Sequence, residues 1–234
     1  MMVTLNRTRW LLGIFFLCLA TVPLAAQNDR VEWGLDFLGA FPKGDLEDNI
    51  EDDGLGFALY GGYRPPHSPF LVGLDLAFIN YGSTSFKGPF RDCCRDLEEV
   101  ETNNNIAMGH LFFRVQPGVG AIRPYFEGLV GVKSFFTTTT FREDDEFDSD
   151  TDREFDDTSV SYGGGAGLAL ILRDGKLRSG PTVALNIGAR YLFGGETEYV
   201  VEESVEIEGT RVSYDVVESD TDMFVARVGF SVRF

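Results

Sequence analysis

Cysteine is scarce in this 234-residue chain: of three, Cys18 lies in an N-terminal apolar stretch, and Cys93 and Cys94 are adjacent. Neighbouring cysteines cannot staple distant parts of a fold, so a disulfide scaffold is excluded. They could form a strained vicinal disulfide, pair between molecules or stay reduced. Histidine occurs twice, at His67 and His110, which leaves little material for a histidine-based metal or catalytic centre. Bases number 20 against 37 acids, for a formal charge of −17. Nucleic acid is excluded as a partner, because that affinity comes from neutralising phosphates with Lys and Arg. No apolar run reaches the roughly 20 residues that a membrane-spanning helix needs. The one glycine cluster, GGGAG at Gly163–Gly167, sits inside a strand pattern rather than before a helix, so its glycines serve packing and not a phosphate.

What the chain has is organised at its two ends. Arg7 and Arg9 precede an apolar run from Trp10 to Ala20, followed by Pro23, Ala25 and Ala26. This pattern predicts a secretory signal peptide over residues 1–26, with Gln27 as the mature terminus and residues 27–234 as one domain. Leu24, three residues before the cut, is larger than the small residue preferred there. Cys18 has no small residue before it and fits a lipoprotein site poorly. Loss of the two arginines takes the mature charge to near −19.

At the other end, Phe224, Ala226, Val228, Phe230, Val232 and Phe234 alternate with Met223, Val225, Arg227, Gly229, Ser231 and Arg233. Strand side chains point to opposite faces with period two, so one face here is wholly apolar. Seven more stretches behave alike. Strands are predicted at Val31–Phe41, Gly54–Arg64, Phe70–Tyr81, Asn105–Gln116, Pro124 to about Thr138, Thr158–Leu172 and Pro181–Phe193. Their apolar faces carry aromatics near the strand ends, while glycines crowd their polar faces. The connections alternate, long after the first, third, fifth and seventh strands and short after the others. The four long ones, residues 42–53, 82–104, 139–157 and 194–220, hold 30 of the 37 acids. Stretches near Tyr199–Val205 and Arg211–Val217 have strand-like residues and could prolong the last two strands as a hairpin.

Eight antiparallel strands in sequence order predict an all-β, up-and-down closed barrel, and an outward apolar face predicts that it spans a bilayer. A soluble eight-stranded cup would reverse the two faces. With the strand pattern, the stretch RPYFEGLVGV at Arg123–Val132 and the terminal Phe234, the chain resembles the small eight-stranded outer-membrane barrels, whose best-known member is the transmembrane domain of OmpA. The resemblance implies insertion into outer-membrane lipid, short periplasmic turns and long acidic extracellular loops. It also implies delivery to the barrel-assembly machinery through the C-terminal signal Phe230, Val232 and Phe234. The peptidoglycan-binding domain that follows the barrel in OmpA has no counterpart after Phe234, so cell-wall attachment does not carry over.

Three constellations are candidates for function. The acids Glu32, Asp36, Asp75 and Glu127 share the inward face with Arg64, Arg114, Lys133, Arg190, Arg227 and Arg233. Charges in a narrow interior must be paired, as a filling or as a gate, and closure of first strand on last predicts an Asp36–Arg227 pair. In DSDTD, Asp148, Asp150 and Asp152 suit a hard cation, but Arg153 and Ser159 stand where an EF-hand loop needs glycine and glutamate. Weak divalent-cation binding or a plain solvated loop are the readings left open. His110 faces inward with Ser161 and Ser231, the residue types of a lipid-modifying outer-membrane enzyme; no spacing singles them out, and a crowded lumen would exclude lipid. The expectation is therefore a non-enzymatic outer-membrane protein without cofactor, in a structural or adhesion-like role with an unnamed extracellular partner. A small low-conductance porin is the alternative.

Overall fold

A stretch that alternates apolar and polar residues satisfies both faces only as a strand between an apolar and a polar medium, and the computed structural model of the chain is built almost wholly of strands. It describes residues 30–49, 53–88, 98–142, 149–175, 180–200, 206–208, 211–213 and 216–234; the expected signal segment, Cys93, Cys94 and Asp148 lie outside them. In chain order the elements are β1 (Val31–Pro42), α1 (Asp45–Asn49), β2 (Gly54–Tyr63), β3 (Phe70–Gly88), β4 (Glu98–Val115), β5 (Ile122–Arg142), β6 (Ser149–Arg173), β7 (Thr182–Gly194), β8 (Glu196–Val200), β9 (Glu206–Glu208), β10 (Arg211–Ser213), β11 (Val216–Asp220) and β12 (Met223–Arg233).

Eight strands close on themselves in the order β1-β12-β7-β6-β5-β4-β3-β2, every neighbouring pair antiparallel. First and last strands meet along the seam, where Leu38 lies opposite Arg227 and Asp36 opposite Gly229. Beyond the seam's end, the Phe234 amide donates to the Val31 carbonyl at 2.9 Å. Closure leaves the barrel without an edge strand.

The two faces separate as the alternation requires. Phe37, Leu55, Leu76, Leu111, Phe126, Val160, Ile187 and Phe230, one from each barrel strand, are all exposed. Leu38, Tyr60, Phe112, Tyr125 and Arg227 on the opposite face are buried. Moving one large apolar side chain from water to an apolar medium is worth about 1.5–3 kcal/mol. An exposed belt reaching right round the barrel exceeds the few hundred Å² that soluble monomers leave uncovered. The outside of the barrel is therefore built for an apolar surrounding.

Four strands run further than their sequence suggests. The stretches 82–88, 98–104, 139–142 and 149–157, expected in long connections, continue β3, β4, β5 and β6. Their pairing extends to Gly88 opposite Glu98, Glu99 opposite Arg142 and Arg142 opposite Ser149. Bulges at Asn80/Gly82 and Thr137/Thr138 mark where the ladder leaves the barrel rim. Once the strands no longer need an apolar outer face, polar residues can be strand on both faces, and alternation no longer reports them. The pairing of β2 with β3 stops at Leu55 opposite Asn80, and that of β6 with β7 at Ser161 opposite Gly194. At about 3.3 Å per residue, a four-stranded wall rises roughly 20 Å past the rim on one side. Among the described residues, its outer strands have no ladder partner on their far sides.

The 194–221 connection contains two further antiparallel ladders, β8 with β11 and β9 with β10, in line with the expected prolongation of β7 and β12; residues 201–205 and 214–215 of the expected stretches lie outside the described residues. The first connection contains α1, a single helical turn that the acidic sequence did not suggest.

Candidate functional site

The inward faces fill the lumen in two storeys. At the short-turn end the contents are ionic. Arg233 Nε and Nη2 both donate to Glu32 Oε2, at 3.0 and 2.8 Å, and Arg64 and Arg114 approach Glu32 at 3.8 and 3.6 Å. Arg114 Nε donates to Glu127 Oε2 at 2.9 Å, and Arg190 Nε to Glu127 Oε1 at 2.6 Å. Arg190 then clasps Asp75 with both terminal nitrogens, at 2.9 and 3.1 Å. Arg227 reaches Asp75 Oδ2 at 3.2 Å and Asp36 Oδ2 at 2.7 Å through Nε, with a second, very short contact from Nη2 to Asp36. Glu32, Arg114, Glu127, Arg190, Asp75, Arg227 and Asp36 thus form one unbroken ionic ladder, its members all buried.

The expected charge set is brought together with one exception. Asp36 and Arg227 pair as seam neighbours two positions off the direct register. Lys133 stands apart, fully buried near the opposite rim, with its ammonium donating to the Thr221 carbonyl over a very short distance. It ties the base of the 194–221 hairpin to β5 rather than extending the ladder.

Aromatic rings fill the space between the ions. The Arg114 guanidinium lies 4.2 Å from the Tyr125 ring centre and 5.0 Å from that of Tyr60, and Tyr60 meets Phe112 edge-on at 5.8 Å. Sequence reasoning missed Tyr60 and Tyr125, although each sits at an inward position of its strand, which was the available signal. The bare inward face of β6 is their counterpart. A Cβ on Gly167 would come within 2.4 Å of the Tyr125 ring, and one on Gly165 within 2.8 Å of Arg190 Cγ. The glycines make room for side chains arriving from β5 and β7.

The storey at the long-strand end is mainly apolar, although the buried Lys133 stands at its level opposite Met108. Leu38, Ala40, Ile79, Ile106, Met108, Met223 and Val225 form one buried cluster, and Leu46 of α1 caps it at 0 % exposure. The helical turn exists because its backbone can close over the barrel mouth: the Glu47 amide donates to the Gly44 carbonyl at 3.0 Å and the Lys43 amide to the Asp222 carbonyl at 2.9 Å. Among the described residues, the lumen holds a charged plug below and an apolar plug above.

The remaining candidates divide. His110 Nε2 and Ser161 Oγ come within 3.1 Å, both buried, whereas Ser231 lies on β12 without a hydrogen bond to either among the described residues. Asp75 is opposite His110 in the strand register, but its oxygens are held by Arg190 and Arg227. Asp150 and Asp152 fall in β6, where the backbone alone is described. Among the described residues, no group of three or more metal-ligating side chains gathers. Of the three residues expected to form a C-terminal assembly signal, Phe230 is exposed on the barrel's outside, and Val232 and Phe234 complete the last ladder at the seam's end.

No protein-family model matches the sequence. Comparison with the curated proteins gives no match either. Solved structures give distant likenesses. Neisserial surface protein A is 14 % identical over 87 % of this chain and 95 % of its own, with a TM-score of 0.40. Ail, the attachment invasion locus protein of Yersinia pestis, solved with the heparin analogue sucrose octasulfate, is 15 % identical over 88 % and 97 %, with a TM-score of 0.40. A major outer membrane protein from Thermus thermophilus is 13 % identical over 87 % and 99 %, again at 0.40. The eight-stranded closed barrel itself rests on the hydrogen-bond circuit around this chain.

Proposed function

We propose that this chain is an integral outer-membrane protein of a Gram-negative-type bacterium whose work is done by what it presents outside the cell, with the barrel as its anchor. The combination of a lumen plugged in two storeys with a four-stranded wall rising beyond the rim carries this reading. A pore would need the reverse, an open lumen and little above it. The apolar belt supports insertion into lipid, and the short turns then face the periplasm while the wall and the acidic connections face outward. The edge of β3 beyond Asn80, which has no ladder partner among the described residues, offers main-chain hydrogen bonds to an extended segment of a partner. The acids flanking the wall disfavour anionic surfaces and favour basic or neutral ones. The C-terminal strand, which both completes the barrel and ends in alternating apolar residues, fits delivery to the assembly machinery.

The test is to refold the full chain into lipid bilayers and compare unboiled with boiled samples on an SDS gel, while recording planar-bilayer current. A heat-modifiable band with baseline conductance supports the anchor reading. Binding of bacteria displaying the chain to basic or neutral protein-coated surfaces, lost when residues 82–104 are replaced by a short glycine-serine turn, supports the outward role. A steady ion current would instead establish the small porin. A water-soluble protein without a heat shift would remove the membrane assignment.

A further inference from the structure

Inward charges pair one to one along the ladder, with one left over. Arg233 takes Glu32 at 2.8 Å, Arg114 takes Glu127 and Arg190 takes Asp75, each at 2.9 Å, and Arg227 takes Asp36. At the short-turn rim Arg123 takes Asp174 at 3.4 Å, and Lys133 stands by the opposite rim on the Thr221 carbonyl. Arg64 is the remainder. Its terminal nitrogens donate to neutral groups, Nη2 to Gln116 Oε1 at 2.7 Å and Nη1 to the Pro69 and Gln116 carbonyls at 3.2 and 3.3 Å. Glu32, already clasped by Arg233, is 3.8 Å away, and Arg64 Nε has no hydrogen-bond partner although the side chain is only 7 % exposed. Gln116 Oε1 also receives Arg233 Nη2 at 3.4 Å, so it gathers two guanidinium groups without bringing a charge of its own. Arg114 Nη1, 3.6 Å from Glu32, is a second buried donor without a partner.

We propose that the short-turn mouth of the barrel is a binding site for a phosphate group, held by Arg64 with Arg114 and Arg233 beside it. The inference goes beyond the outward role proposed above and concerns the opposite end of the molecule. A buried cation without a counter-ion is far costlier than a paired one, so the guest carries negative charge. Glu32 faces the same mouth, but three guanidinium groups surround it. The other acids do not compete, because 30 of the 37 lie in the long connections at the far end. Guanidinium forks match two oxygens of one group better than a spherical halide. Depth selects phosphate among the oxyanions. Arg64 follows Tyr63 in the chain, and Tyr63, Trp33 and Phe70 are exposed on the barrel's outside at this rim, as aromatics are at the headgroup level of a bilayer. Access is from the same end, where Pro65, Pro66 and His67 are exposed; the ionic storey fills the path from the other. A lipid headgroup and free phosphate both present this chemistry.

The test is solution NMR of the arginine Nε–Hε groups in the full chain, refolded in uncharged maltoside micelles, while inorganic phosphate replaces chloride at constant ionic strength. The same groups are then compared in nanodiscs of phosphatidylcholine alone and of phosphatidylcholine and phosphatidylglycerol in equal parts. Saturable shifts of Arg64 and Arg233 with inorganic phosphate support the site with free phosphate as its source. Shifts of the same two groups only in the phosphatidylglycerol discs support it with a lipid headgroup as the source. Arg190, deep in the ladder, is the internal control and should not move. Arg64→Met strands no acid, because Glu32 keeps Arg233; it should retain the heat-modifiable band and lose the Arg233 shift. No saturable shift in either medium from a folded wild-type barrel overturns the site, as does an equal shift of all arginines or an Arg233 shift that persists in the variant. If the variant fails to fold, the wild-type spectra decide. A wild-type chain without a heat-modifiable band would remove the barrel, and the site with it.

Discussion

Arg190 and Arg227 make the same number of ladder hydrogen bonds, three each, yet removing them should not cost the same. The cost of deleting one partner of a buried pair lies in the charge left behind, about 3–5 kcal/mol when that charge is stranded. If Arg190 becomes Met, Asp75 keeps Arg227 at 3.2 Å and Glu127 keeps Arg114 at 2.9 Å. Neither acid is abandoned, and a loss of about 1.5–3 kcal/mol follows, the range for hydrogen bonds to charged groups. If Arg227 becomes Met, Asp36 loses its one ionic partner among the described residues, and the full stranded-charge cost of about 3–5 kcal/mol applies. Adding Asp36→Leu to Arg227→Met should then restore most of the loss, because replacing a buried pair by apolar groups is often neutral. The assay is urea unfolding of the refolded barrel in lipid vesicles, followed by the heat-modifiable band. Equal losses for the two arginine variants, or a double variant as unstable as the sum of its parts, would refute the ladder as drawn.

Other consequences are as direct. Gly167→Leu sets bulk against the Tyr125 ring and the Ile187 carbonyl, both within 2.6 Å of the new Cβ, and should abolish the folded band. Gly128→Ala, whose Cβ would meet nothing closer than 4.0 Å, should fold as well as the parent in the same gel assay. Val228→Arg, exposed on β12 opposite Phe37 and Ile187, should cost about 2–4 kcal/mol in bilayers if that height lies near the midplane; an unchanged urea midpoint would argue against a lipid-facing belt. Leu46→Ala removes a wholly buried side chain and should destabilise by about 2–5 kcal/mol. Planar-bilayer current should nonetheless stay at baseline in that variant, since the ionic storey beneath still fills the lumen.

Where one face had to meet an apolar medium, the sequence alone was enough. All eight barrel strands and their facing could be read from alternation, and the Asp36–Arg227 pair followed from closure once both residues were placed inward. Polar stretches defeated the same reasoning. Residues 82–88 and 149–157 looked like loop because nothing forced a period on them, yet cross-strand pairing carries both as strand. The helical turn at Asp45–Asn49 has too few residues to show a 3.6-residue period. Its placement depends on Leu46 finding an apolar mouth, which only the assembled barrel creates. Tyr60 and Tyr125 escaped notice for a related reason: an aromatic in a barrel strand suggests a lipid-facing ring until its parity is counted. The division of the lumen into ionic and apolar storeys needs the stagger between strands, which no single strand reveals.

The seam also bears on time. Arg227 and Asp36 are 191 residues apart in the chain, and Arg233 and Glu32 are 201 apart, so their ion pairs can form only when the last strand arrives beside the first. Contacts so distant are slow to make. Until they form, a growing sheet carries unpaired carboxylates and cations toward a medium that penalises each of them. A one-residue slip at closure would turn Arg227 and Arg233 onto the apolar outer face and Phe230 into the lumen. Register at the seam is therefore set by electrostatics as well as by the apolar face: a slipped closure forfeits the Asp36–Arg227 and Glu32–Arg233 pairs together.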